Sequence, residues 1–177
     1  MTRNPASRAR AAGDNAEAAI ERACASYARL GLALVEKRHA PVRIIGPVRA
    51  GRFAAVFAGK APVDFDGILR GGRAVAFELK RAASATSLPL EAGGKDRLRP
   101  EQVDALAARH ALGALVGVVV ALGPRWFWLP WPAWLRCVDD AAAVGRVSLP
   151  IATMVAHGVE MERAGQWLPA ALDSEVG

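Results

Sequence analysis

Apolar positions recur along this chain with two periods, and each change of period marks the border of an element. Between Asp14 and Leu30, residues Ile20, Ala23, Cys24, Tyr27 and Leu30 return at helical spacing and form one stripe, which predicts an amphipathic helix. Asp14 followed by Glu17 has capping-box spacing and sets the expected helix start, and Gly31 stands where a C-cap glycine belongs. Leu32 to Val35, Val42 to Ile45 and Phe53 to Phe57 read as short strands, separated by Lys37-Arg38-His39 and by the breakers Gly46-Pro47 and Ala50-Gly51-Arg52. Val63 to Leu69 and Ala74 to Leu79 are strand-like around Arg70-Gly71-Gly72-Arg73, which predicts a hairpin. After a Ser/Thr/Gly-rich loop from Ala82 to Leu98, Pro100 opens a helix carrying Val103, Leu106, Ala107 and His110, ended by Gly113. Ala114 to Leu122 is too uniformly apolar to have a wet face and reads as a buried strand. Gly123-Pro124 turns the chain into a strand from Arg125 to Leu129, and Trp131-Pro132 opens a short helix towards Ala143. Leu168 onward reads as a tail. The order predicts a single α/β domain with a sheet of mixed strand direction.

Composition changes this picture little. In 177 residues, 53% are hydrophobic and 23% charged, the balance of a globular domain, and the longest apolar run is far too short to span a bilayer. No membrane partner is expected. Residues 1–12 carry Arg3, Arg8 and Arg10 with no apolar stretch behind them, so they read as a mobile basic arm rather than a secretory signal. Cys24 and Cys137 lie far apart and His39, His110 and His157 are scattered, which argues for reduced thiols and against a zinc site. A cytoplasmic location follows as an expectation. A net charge of +6 and a sequence pI near 10.1 suit a polyanionic partner.

The residues with chemistry to explain are Asp64, Glu78 and Lys80. Side chains alternate across a strand, so Glu78 and Lys80 share a face while Val75, Phe77 and Leu79 fill the other. One reading is a solvated face on an edge strand. The other brings in Asp64 at the start of the partner strand, and it depends on register. A two-residue Gly71-Gly72 loop puts Asp64 on the wrong face; a three-residue loop centred on Gly71, or a bulge, sets it opposite Glu78. Two carboxylates at that range repel unless a divalent cation neutralises them, which points to Mg²⁺ (with Mn²⁺ as a substitute) held by Asp64 and Glu78. Lys80 would then orient water or stabilise charge on a phosphate.

An Asp, a hairpin and then Glu-x-Lys is the pattern of the PD-(D/E)XK nucleases, and its surroundings here narrow it. Asp64-Phe65-Asp66-Gly67-Ile68, a Gly-Arg pair, Phe77-Glu78-Leu79-Lys80, Thr86-Ser87-Leu88-Pro89-Leu90 and Gln102 occur in the order found in the RecU family of Holliday junction resolvases. Upstream, Glu17, Tyr27 and Lys37-Arg38-x-x-Pro41-Val42 also match. The chain resembles that family from Gly13 to Leu129. It departs by a longer Asp-to-Glu interval at the doubled glycine, by Val63 in place of a hydroxyl residue and by Glu101 before Gln102. The segment between Val42 and Asp64 is shorter than the family's junction-entering stalk, and the loop before Gln102 is longer. The resemblance implies a restriction-endonuclease-like mixed central sheet flanked by helices, with a nuclease domain over 13–168 and a tail over 169–177. It further implies a bacterial or phage-encoded homodimer that cuts four-way DNA junctions by Mg-dependent hydrolysis, leaving a 5′-phosphate. An endonuclease of the same fold acting on other branched or phage DNA, or a non-catalytic DNA-binding protein, is the alternative.

Further candidates sit around this centre. Glu17 is a capping-box acid on the spacing alone, and the resemblance adds a place near the metal. Gln102, at a helix start, is positioned to bond a water or phosphate. Lys37, Arg38, Arg49, Arg52, Lys60, Lys95, Arg97 and Arg99 are candidates for a groove that holds DNA by its phosphates. Trp126, Phe127, Trp128, Trp131 and Trp134 are expected to contribute part of the subunit interface.

Overall fold

A computed structural model describes residues 5–46, 54–90 and 98–175, and within the first helix the side chains from Asn15 onward. The elements, in chain order, are α1 (Pro5–Arg29), β1 (Ala33–Lys37), β2 (Val42–Ile44), β3 (Ala55–Phe57), β4 (Phe65–Leu69), β5 (Ala74–Ala82), β6 (Ser87–Pro89), α2 (Pro100–Ala111), β7 (Leu115–Leu122), β8 (Arg125–Pro130), α3 (Trp131–Ala143), β9 (Ser148–Pro150), α4 (Ile151–His157), β10 (Val159–Glu160) and α5 (Trp167–Asp173). Six strands form the central sheet in the order β1-β4-β5-β7-β8-β10, and two-stranded pairs β2-β3 and β6-β9 lie outside it. Of the neighbours in the large sheet, β5 and β7 run parallel and the rest antiparallel. The parallel pair needs a crossover, and α2 supplies it. This is the expected mixed sheet flanked by helices, consistent with a restriction-endonuclease-like fold. No described helix is long and apolar enough to cross a membrane.

At β7 the sheet is buried on both faces, which explains why that strand is apolar at every position. One face carries Val35, Phe65, Phe77, Val119 and Trp128 and packs against Ile20 and Cys24 of α1 and Trp167 of α5. The other carries Ala76, Val118, Val120, Phe127 and Leu129 and packs against Leu106 of α2 and Trp134 and Cys137 of α3. Phe77 is the hub of the first layer, with Phe65, Trp128 and Trp167 ring centroids at 5.1, 5.8 and 4.8 Å. Truncating a fully buried ring of this kind to alanine costs about 3–5 kcal/mol. A Cβ at Gly117 would lie 2.4 Å from the Trp128 ring, so the indole occupies the space that glycine leaves open.

Three expectations are corrected. The first helix spans Pro5–Arg29 rather than starting at Asp14, so residues 5–12 belong to α1 rather than to a separate arm, and Asp14 falls inside the helix. The alanines on both sides of Asp14 propagate a helix well enough to override a local start signal. Leu168 onward is not a tail: α5 buries Trp167, Leu168, Ala170 and Ala171 against the sheet. The tryptophan cluster is not a subunit interface, because Trp126, Trp128, Trp131 and Trp134 are each at most 7% exposed within one chain. Alternate residues of β8 feed the two core layers, and α3 folds its own tryptophans onto the second.

Candidate active site

Register brings the site together. Phe65 pairs with Phe77 and Ile68 with Ala74, so the ladder continued by one residue sets Asp64 opposite Glu78. The Leu69 N–H donates to the Arg73 carbonyl at 2.8 Å, leaving Arg70, Gly71 and Gly72 as a three-residue loop. Gly71 and Gly72 both have φ of +91°, a conformation that glycine adopts without strain. The doubled glycine is thus what turns the carboxylate of Asp64 to the Glu78 side of the sheet.

The two acids are locked to each other's strands. The backbone N–H of Asp64 donates to Glu78 Oε1 at 2.9 Å, and that of Leu79 donates to Asp64 Oδ2 at 3.0 Å. Lys80 Nζ donates to Glu78 Oε2 at 3.3 Å, and Gln102 Nε2 to the same oxygen at 2.5 Å. Gln102 reaches Glu78 because α2 crosses the same sheet face, and its Oε1 accepts the backbone N–H of Arg99 at 3.1 Å. Glu78 is fully buried, Lys80 and Gln102 nearly so, and Asp64 is half-buried at the rim. The edge-strand alternative for Glu78 and Lys80 is therefore excluded: β5 is central, and both side chains are buried.

Burial, reinforced by the charge of Asp64, pushes the Glu78 carboxyl up to about 8, against the opposing pull of the Lys80 ammonium. Among the described residues no three His, Cys, Asp or Glu side chains converge. The protein's share of a metal shell would be these two carboxylates, with water and phosphate oxygens completing it, the manner in which Mg²⁺ is commonly held. Hard oxygen donors, their mutual repulsion and one half-exposed acid fit such a cation.

Glu17 is not part of this cluster. Its carboxylate accepts from Lys37, which also lies 3.7 Å from Glu21, and the ion pair with Glu17 pushes the Lys37 ammonium up. Asp64 acts on Lys37 only through its field, so Glu17 stands one charged residue away from the site. Arg38 pairs with Asp66, while its backbone N–H donates to the Asp64 carbonyl at 2.8 Å. Lys60 and Arg99 line one cleft beside the start of α2, where an Arg99 Nη2 donates to the Ala61 carbonyl at 3.1 Å. Arg49, Arg52, Lys95 and Arg97 lie outside the described residues. Two residues overlooked in the sequence border the site: Asp66, two positions after Asp64 on the same strand face, and Arg109, which follows Gln102 by two helical turns. The spacing rules that gathered Glu78 with Lys80 reach both.

The sequence matches the family described as Recombination protein U, RecU, over residues 11–169. It is also similar to a protein named Holliday junction resolvase RecU from Latilactobacillus sakei subsp. sakei (strain 23K), with 28% identity over 137 residues. That similarity covers 73% of this chain and 62% of the relative, so the chain spans less than two thirds of the relative's length.

Proposed function

Because this chain belongs to the RecU family, we propose that it is a metal-dependent endodeoxyribonuclease that resolves four-way DNA junctions as a homodimer. The observation that carries this reading is the convergence of Asp64, Glu78 and Lys80 through the hairpin register, on a face bordered by basic side chains. Asp64 and Glu78 would hold Mg²⁺ or Mn²⁺, which when bound supplies charge neutralisation and a more acidic water for phosphodiester hydrolysis. Gln102 keeps the Glu78 carboxylate turned towards Asp64 and Lys80. Lys80, held by Glu78 in a dry setting, presents a fixed positive charge to the phosphate, where little reorganisation is needed as negative charge develops. Glu17 orients Lys37 and does not bind the metal. Lys37, Arg38, Lys60 and Arg99 contact the backbone phosphates, and the basic balance of the whole chain favours that partner.

Labelled four-way junction, linear duplex and single strand, each with Mg²⁺ and with EDTA, test the reading on one gel. Paired cuts in the junction alone, abolished by EDTA, are the expected result. Equal cutting of other branched DNA would instead support a nuclease of the same fold without junction preference, and binding without any cutting would support a DNA-binding protein. A two-fold dimer supplies the two symmetric cuts that resolution requires. Light scattering at micromolar concentration is expected to give twice the mass of one chain, and a single-chain mass would sink the dimer.

A further inference from the structure

Two guanidinium groups meet one carboxylate on the sheet face next to the candidate site. Asp66 accepts from Arg38 Nε through one oxygen and lies 3.4 Å from an Arg109 Nη2 through the other. The second Arg109 nitrogen, Nη1, donates to the Ala105 carbonyl at 2.9 Å, which fixes the plane of that guanidinium against α2. Asp66 is largely buried, with its side chain 14% exposed, whereas Arg109 and Arg38 keep 33% and 52% of theirs in solvent. The group as a whole carries one net positive charge with the acid beneath and the cations outward. It is tied to the site at both ends. The Arg38 backbone bonds the Asp64 carbonyl, and Arg109 shares a helix face with Gln102, which holds Glu78.

Resting on the nuclease reading, we propose that Arg38 and Arg109, splayed on Asp66, form a binding site for a non-bridging phosphate oxygen of the DNA strand being cut. The site takes a phosphodiester other than the scissile one. A guanidinium is a rigid planar fork suited to phosphate oxygens, and two of them fixed on one carboxylate lose little conformational freedom when the anion arrives. Asp66 therefore strengthens DNA binding although it is itself negative. Arg109 is the new member: it belongs to α2, the helix that also supplies Gln102, so phosphate capture and support of Glu78 share one element.

That sign makes the inference testable by fluorescence anisotropy of a labelled four-way junction in EDTA, where no cleavage intervenes. Asp66→Asn removes a negative charge, so a diffuse basic surface predicts tighter binding. An oriented pair predicts weaker binding, by about tenfold. Arg109→Ala is expected to weaken binding to a similar degree and to lower the slope of log affinity against log salt by about one. Arg109→Lys, which keeps the charge and loses the fork, is expected to recover the slope but not the full affinity. Thermal melts confirm that each variant is folded; where Asp66→Asn does not fold, the Arg109 pair decides alone. Tighter binding by a folded Asp66→Asn, or an unchanged slope for Arg109→Ala, overturns the proposal while wild-type cleavage still stands. A wild-type chain that binds no junction overturns both this site and the nuclease reading.

Discussion

Asp64→Ala is expected to cut cleavage of a four-way junction by two to three orders of magnitude or more while leaving binding in place. That is the loss expected when a preorganised charge-stabilising group leaves an active site. A carboxylate facing DNA repels phosphate, so removing it does not weaken affinity. Glu78 calls for a gentler substitution, because alanine would strand the nearly buried Lys80 without its partner oxygen. Glu78→Gln keeps the shape and an oxygen for Lys80 and Gln102, at the cost of the oxygen that accepts the Asp64 backbone N–H. Its cleavage loss is expected to match that of Asp64→Ala. Lys80→Ala is expected to lose cleavage as well. Gel assays of cleavage in Mg²⁺, beside anisotropy in EDTA, separate the two effects. Near wild-type cutting by either acid variant would remove these residues from the reaction, and normal cutting by Lys80→Ala would reduce that lysine to a partner of Glu78.

The second large effect is on stability. In the metal-free chain the Glu78 carboxyl keeps its proton up to about 8, whereas in the unfolded chain it ionises near its usual 4.5. Between those values the folded state binds more protons than the unfolded state, so stability falls as pH rises. The contribution is fully present below about 4.5 and lost as pH passes about 8, amounting to several kcal/mol across the window. Glu78→Gln cannot titrate and is expected to flatten this dependence. Thermal melts in EDTA at several pH values from 5 to 8.5 check it. A wild-type melting temperature that does not fall relative to Glu78→Gln over that range would contradict the buried acid described here. A bound divalent cation competes with that proton, so Mg²⁺ is expected to restore most at the alkaline end.

Much of this arrangement was legible in the sequence for physical reasons. The hairpin was legible because two apolar runs flank a doubled glycine, and the residue count of the loop then decides which face Asp64 takes. The helix from Trp131 to Ala143 was legible because Pro132 suits a helix's first turn and the preceding strand ends there. What failed was inference from single local signals. Asp14 and Glu17 have the spacing of a cap, but the helix propensity of the alanines carries α1 through them. Exposure cannot be read from residue type, so tryptophans suited to an interface on sequence lie inside one chain. Nor does spacing say which helix covers a strand, and so Gln102 on Glu78 and Arg109 on Asp66 became visible only with the crossover of α2 in place. Trp167 had no periodic partner in its own segment; its partners are Phe77 and Trp128, far away in sequence.

The burial of all five tryptophans has an optical consequence. Trp126, Trp128, Trp131, Trp134 and Trp167 are each at most 7% exposed, and none belongs to the acidic site or to the basic side chains around it. Their emission therefore originates in an apolar medium and shifts to longer wavelength when the sheet comes apart. On the proposed reading, DNA over the face of Asp64 and Arg109 would touch none of these indoles. The intrinsic fluorescence of this chain is then expected to report folding and to stay silent for such a substrate, so a titration with DNA needs its label on the nucleic acid.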